Sequence, residues 1–322
     1  MLSELESVSP ATVIVALRAG KNQIPSYYDW LTGFDLPLEV VWCNAPSVND
    51  LLDNHGLSGN PGKGRDLWIA IGLAADSHRY IVCHDADTES YSRSYVERLL
   101  FPLTRGYTFS KGYYARVEDN QLYGRLFRLL YAPLLTALHT LHPTEPLIQY
   151  LGAFRYALAG EFATTASLLQ QLPFERRFGL EVGTLGGAYS HAGFDKTAQV
   201  DLGEYKHDHR AVGGPTGLAD MSREIVAALF RTLTDNEIQI DHETIRDEYL
   251  ATGHTLIDHY ATDAAYNGLD YTPDDERKQL QTYVDAIEPL GPDDRLPSWN
   301  ETSLNPNTMR QRAHTDLDTL RP

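Results

Sequence analysis

Short apolar runs alternating with helix-periodic stretches constrain this chain more than any other feature. Residues 11–17 (ATVIVAL), 38–42 (LEVVW) and 79–83 (RYIVC) have the length and β-branched content of buried strands. Between the second and third lies 64–75 (GRDLWIAIGLAA), apolar at helical spacing. This alternation predicts an α/β fold with a parallel-rich sheet. A helix is expected over 92–103, an extended segment over 107–115, and a long periodic helix over 122–141 that Pro133 interrupts. Further on come a helix at 164–170, another beginning near Glu181, and a strand at 198–202. The break Gly213-Gly214-Pro215 precedes an amphipathic helix at 218–233. Two polar helices, about 242–262 and 273–287, then lead into a proline-punctuated tail.

The third apolar run ends in His84-Asp85-Ala86-Asp87, and open α/β sheets bind ligands beyond the carboxyl ends of their strands. Two carboxylates two residues apart can engage a hard divalent cation there, and such a cation neutralises a diphosphate leaving group. The same pair can also simply cap a turn. Pro61-Gly62-Lys63-Gly64-Arg65 opens the helix upstream. Its small residues let backbone approach a phosphate, and Lys63 supplies a point charge at the helix N-terminus. The spacing of a P-loop is absent. Lys206-His207-Asp208-His209-Arg210 follows the strand at 198–202, where histidines flanking a carboxylate are placed to complete a metal shell.

Charge narrows the partners. The 44 acidic residues against 27 basic give −17, and 21 of the basic residues are Arg. Such a balance argues against a nucleic-acid backbone or an anionic membrane surface. A Lys-poor, Asp-rich surface fits a salt-rich cytosol, where ionic strength screens carboxylate repulsion. Residues 235–322 hold 19 acidic and 7 basic side chains, or −12 of the total. That acidity is expected to serve solubility and assembly rather than substrate binding. Cys43 and Cys83, each at the end of an apolar run, are expected to be reduced core thiols. No apolar run approaches the length of a membrane span and no secretion signal is apparent, so a cytoplasmic location is expected.

The order P-G-K-G (61–64), D-A-D (85–87) and K-G-Y-Y (111–114) resembles that of GT-A nucleotide-sugar glycosyltransferases. Segments 124–135 (GRLFRLLYAPLL), 172–174 (LPF), 179–183 (GLEVG) and 198–207 (AQVDLGEYKH) narrow the resemblance. Together they are similar to the glucosyl-3-phosphoglycerate synthase family, which also contains mannosyl-3-phosphoglycerate synthases. The resemblance covers roughly 60–235. It implies a Rossmann-like GT-A domain over 1–235, with a nucleotide-sugar half to about 115 and an acceptor half from about 116. Residues 236–322 are then an acidic helical extension and tail.

The resemblance further implies a metal-dependent, retaining transfer of a hexose. The donor would be UDP-glucose or GDP-mannose, and the acceptor the 2-hydroxyl of 3-phosphoglycerate. Lys63, Asp85, Ala86 and Gly160 would line the nucleotide-sugar pocket. Asp87 and His207 would bind Mg²⁺ or Mn²⁺, with His209 a further candidate. Glu181 would face the donor sugar, while Gly124, Arg125 and Phe127 fall at the acceptor. Arg125 suits a carboxylate or phosphate bidentately. A homodimer is also implied.

Departures leave alternatives open. The first strand ends in Ala16-Leu17-Arg18-Ala19-Gly20 and the second in Cys43-Asn44-Ala45, so base recognition does not carry over. Phe127 replaces a small hydroxylated residue of the family pattern and cannot donate a hydrogen bond. Another small or lipid-linked acceptor, or a non-catalytic nucleotide-sugar-binding role, therefore stands beside the main reading. Val82–Asp87 also resembles the nucleophile strand of haloacid-dehalogenase-type phosphatases but departs from it at Glu89.

Overall fold

Residues 1–206 and 215–320 are described by a computed structural model. Strands β1 (Val13–Leu17) and β2 (Leu38–Trp42) pair in parallel. A four-stranded sheet has the order β3-β7-β4-β8, from β3 (Tyr80–Cys83), β4 (Phe109–Ala115), β7 (Phe162–Thr165) and β8 (Thr197–Glu204). Between them, β5 (Val117–Glu118) and β6 (Gln121–Leu122) form a small hairpin.

The sheet is more mixed than its apolar runs suggest. β7 lies antiparallel to both β3 and β4, and β4 runs parallel to β8. The expected helix at 164–170 is accordingly divided: Phe162–Thr165 completes the sheet and only Ala166–Leu169 is helical. Here pairing with two neighbours overrides the local pattern.

This topology places the chemistry. β3 runs into Asp85 while antiparallel β7 starts just after Glu161, with Cys83 opposite Phe162 and Lys111 opposite Phe162 on the other side. The Asp85–Asp87 turn, Gly160-Glu161 and the middle of β4 therefore meet at one sheet end. β8 arrives there too. Lys206 is bonded through its backbone to the Glu89 N–H and the Ser90 hydroxyl.

The helix Lys63–Ala75 packs behind β1 and β3. The expected helix at 122–141 begins later, as a π-helical turn over Leu126–Tyr131 continuing into Ala132–Leu141. Pro133 has no N–H to donate, and a wider turn before it accommodates that loss at the helix start. Cys43 and Cys83 are buried free thiols. Among the described residues no helix is long and apolar enough to cross a membrane.

The residues beyond 235 are not peripheral, contrary to the role expected from their charge. Helices His242–Asn267 and Pro273–Val284 pack on the Leu126–Leu141 region, and Ile245, Tyr249, Leu280 and Tyr283 join the main core. Leu296 pairs with Phe174 through two backbone hydrogen bonds of 2.9 Å. Trp299 stacks on Trp68 with centroids 4.4 Å apart, and each indole N–H donates across the contact, to Trp68 O and Pro297 O. A final helix, Pro306–Asp318, closes over β2; its Arg310 pairs with Glu39 at 2.7 Å.

Candidate active site

Glycines bring the site together. Gly62 and Gly64 lie so close to the 175–177 backbone that a Cβ on Gly64 would stand 1.8 Å from Glu175 O. The Arg65 N–H donates to Arg176 O across the same contact. Any side chain at these positions would push the start of the Lys63–Ala75 helix away. The helix Leu180–Ala192 begins only a few residues after that backbone, carrying Glu181 in its first turn. Lys63 consequently projects between two carboxylates, its Nζ 2.7 Å from Asp85 Oδ1 and 2.7 Å from Glu181 Oε1.

Glu181 is buried, whereas Asp85 and Lys63 are about a quarter to a third exposed. Burial alone would lower the Lys63 pKa, but Asp85 and Glu181 outweigh it and hold the ammonium well above its usual value. Glu181 does sit where a helix N-terminus favours a carboxylate. Its contact with Lys63 nonetheless ties it to the Asp85 turn.

Gly160 backs Asp85 directly: a Cβ there would lie 2.3 Å from Asp85 Oδ2. Beside it, Glu161 is fully buried and accepts from the Tyr114 hydroxyl at 3.1 Å and from Thr88 Oγ1 at 3.5 Å. Burial, reinforced by the Asp85 charge, raises the Glu161 carboxyl to about 7. Lys111 is also buried, donating to Ala159 O, and desolvation lowers its pKa to about 8. Desolvation likewise lowers His84 to about 4, so its imidazole is neutral near pH 7.

Ala86 and Asp87 are exposed at the tip of the turn. Among the described residues no three His, Cys, Asp or Glu side chains converge as a metal cage. His207 and His209 lie outside the described residues. Lys206, immediately before His207, is joined to residues two and three places beyond Asp87.

The residues expected at the acceptor form a group of their own. Gly124 has φ +75°, and a Cβ there would approach the Tyr156 hydroxyl to 3.1 Å. Phe127 packs on Tyr156 at 5.0 Å, Tyr156 on Tyr114 at 5.1 Å, and Tyr114 stacks on Tyr205 at 3.7 Å. Phe127 thus opens an aromatic chain that ends at the Tyr114–Glu161 hydrogen bond. Arg125 is half-exposed and lies 3.4 Å from Glu276. Motif reading brought Lys63, Asp85 and Glu181 together but missed Thr88, Tyr205 and Glu276. The K-G-Y-Y run contains Tyr114, yet nothing local shows which of its tyrosines turns inward.

No family model matches the chain. It is similar to the glucosyl-3-phosphoglycerate synthase of Methanococcoides burtonii, 33% identical over 326 residues, covering 94% of this chain and 80% of that protein. The glucosyl-3-phosphoglycerate synthase of Persephonella marina is 32% identical over 286 residues, covering 84% and 71% respectively. Among solved structures, mannosyl-3-phosphoglycerate synthase from Rubrobacter xylanophilus matches with a TM-score of 0.52 and 24% identity. That match covers 74% of this chain and 78% of the other, and it shows the shared GT-A fold.

Proposed function

The chain belongs to the glucosyl-3-phosphoglycerate synthase family, and we propose that it transfers glucose from UDP-glucose to the 2-hydroxyl of 3-phosphoglycerate with retention. The observation that carries this reading is Lys63 held between Asp85 and Glu181 at the carboxyl end of β3. The pairing gathers a cation for phosphate oxygens and a carboxylate for sugar hydroxyls within one side chain's reach.

The described donor, Asp87, suits a hard divalent ion. Asp87 offers a hard oxygen at an exposed turn, and Mg²⁺ is typically held by one or two carboxylates together with substrate phosphates. In this reading Asp87 and His207 hold Mg²⁺ or Mn²⁺, which when bound offsets negative charge on the departing diphosphate. The backbone ties between Lys206 and residues 89–90 support His207 in that role.

The chain's own residues then divide the work. Lys63 binds diphosphate oxygens, and Asp85, Ala86 and Gly160 shape the wall beneath the nucleotide sugar. Glu181 orients the glucose hydroxyls and supports positive charge developing at the anomeric carbon. A retaining transfer can deliver the acceptor proton to the departing phosphate oxygen, so none of these carboxylates is assigned as a base. Gly124, Arg125 and Phe127 border the acceptor, with Arg125 binding its carboxylate or phosphate. Phe127 contributes packing against Tyr156 rather than a hydrogen bond. Cytoplasmic location and homodimer formation belong to the same proposal.

The test is a donor panel of UDP-glucose and GDP-mannose with Mg²⁺ or Mn²⁺, with and without 3-phosphoglycerate. Acceptor-dependent release of UDP, abolished by Asp87→Ala and by His207→Ala, is expected. Nucleotide-sugar binding without turnover on any hydroxylated acceptor would overturn it.

A further inference from the structure

We infer that Glu276, in the helix Pro273–Val284, is a positioning residue of the acceptor site that fixes the Arg125 guanidinium. The inference rests on the acceptor reading above and extends it to a part of the chain where the motif resemblance assigns nothing.

Glu276 is a buried carboxylate, 4% exposed, shared between two arginines of very different character. Arg128 is buried and heavily engaged. Its Nη1 donates to Glu276 Oε2 at 2.6 Å and its Nη2 to Oε1 at 3.2 Å, while Nε and Nη2 also reach Tyr123 O and Leu122 O. The rings of Tyr260 and Tyr271 cover its guanidinium at 5.1 and 6.0 Å. Four of its five N–H donors are used in these bonds, and the side chain is buried.

Arg125 is the opposite case. Its side chain is 51% exposed, and Nε lies 3.4 Å from Glu276 Oε1. Among the described residues it has no other ion pair. An ion-pair contact on the Nε side leaves the two terminal nitrogens, the edge that meets a carboxylate or phosphate bidentately. Without Glu276 the long side chain would sample many rotamers, and ordering it would oppose acceptor binding. The Tyr271 hydroxyl, 3.3 Å from Glu276 Oε2, steadies the carboxylate in turn.

Positioning and plain electrostatics predict opposite outcomes. Removing a negative charge beside Arg125 should strengthen binding of a trianionic acceptor if charge alone matters. It should weaken binding if Glu276 orients the arginine. Steady-state kinetics of Glu276→Gln with UDP-glucose and 3-phosphoglycerate read the difference. The expected result is a rise of about fivefold in the acceptor KM with the donor KM unchanged. Tyr271→Phe preserves every charge and should raise the same KM by a smaller factor. It also carries the test if Glu276→Gln does not fold. In an Arg125→Gln background, Glu276→Gln should produce no further change.

An acceptor KM unchanged or lowered in folded Glu276→Gln would overturn the inference, as would full additivity with Arg125→Gln. An unchanged acceptor KM in Tyr271→Phe would do so if Glu276→Gln is unfolded. Wild-type protein that transfers no glucose to 3-phosphoglycerate would instead overturn the functional reading, and this inference with it.

Discussion

Lys63 is the residue on which the site turns, because it compensates two carboxylates from segments more than 90 residues apart. Lys63→Ala removes the ammonium that both Asp85 and Glu181 contact. Donor kcat/KM should fall on the order of 100-fold, measured by steady-state UDP release. Gly160→Ala tests the wall behind Asp85. Its methyl would occupy the space of the carboxylate and displace it from Lys63. UDP-glucose binding by calorimetry should weaken at least tenfold while the unfolding midpoint shifts little. Glu161 carries a pH signature. Its carboxyl titrates near 7 when folded and near 4.5 when unfolded, so the folded state binds the extra proton between those values. Its contribution to stability therefore falls as pH rises from 4.5 to about 7 and stays low above. Glu161→Gln should stabilise the protein by on the order of 2–3 kcal/mol more at pH 8 than at pH 4, read by denaturant unfolding. These residues were legible in the sequence as chemistry but not as pairs. The contact between Lys63 and Glu181 spans 118 positions and depends on Gly62 and Gly64 closing onto backbone at 175–177.

At the scale of elements, periodicity located most of the strands and helices that carry the site. Run 38–42 is a strand, the run at 79–83 is a strand from Tyr80 to Cys83, and 64–75 is a helix that begins one residue earlier, at Lys63 itself. What the runs did not contain was direction. β7 is a four-residue strand whose antiparallel pairing with both neighbours brings Glu161 to Asp85, and its local sequence, FATT, reads equally as a helix start. The π-helical turn at Leu126–Tyr131 was hidden for a related reason, since its apolar spacing is almost that of an α-helix. The late segment around Trp299 was least legible, because a proline-punctuated stretch gives no period to read. Its indole nevertheless fills the place a Cβ on Gly72 would take, and it stacks on Trp68 of the helix that bears Lys63. Trp299→Ala should cost about 3–5 kcal/mol in chemical denaturation. A cost below 1 kcal/mol would mean that this contact does not brace the helix.

For the whole molecule, the negative excess acquires a different meaning once the chain is folded. Residues 235–322 carry −12 of the −17, yet their apolar side chains complete the core and Glu276 reaches Arg125. Acidity and structural support are therefore carried by the same helices. Truncation near residue 235 should abolish cooperative unfolding rather than spare a donor-binding body. Mutual repulsion among 44 carboxylates, only partly offset by 27 cations, should make the intact protein more stable as salt is added. Its melting temperature is expected to rise from low to molar KCl, since the Debye length contracts from about 30 Å at 0.01 M to about 3 Å at 1 M. A flat or falling profile would mean that specific ion pairs outweigh the repulsion. We propose glucosyl transfer with retention at the site formed by Lys63, Asp85 and Glu181. It is tested most directly by proton NMR of the product formed from UDP-glucose and 3-phosphoglycerate with Mg²⁺. An α-linked glucoside on the 2-hydroxyl is expected. A β-linked product, or free glucose in place of a glucoside, would contradict it.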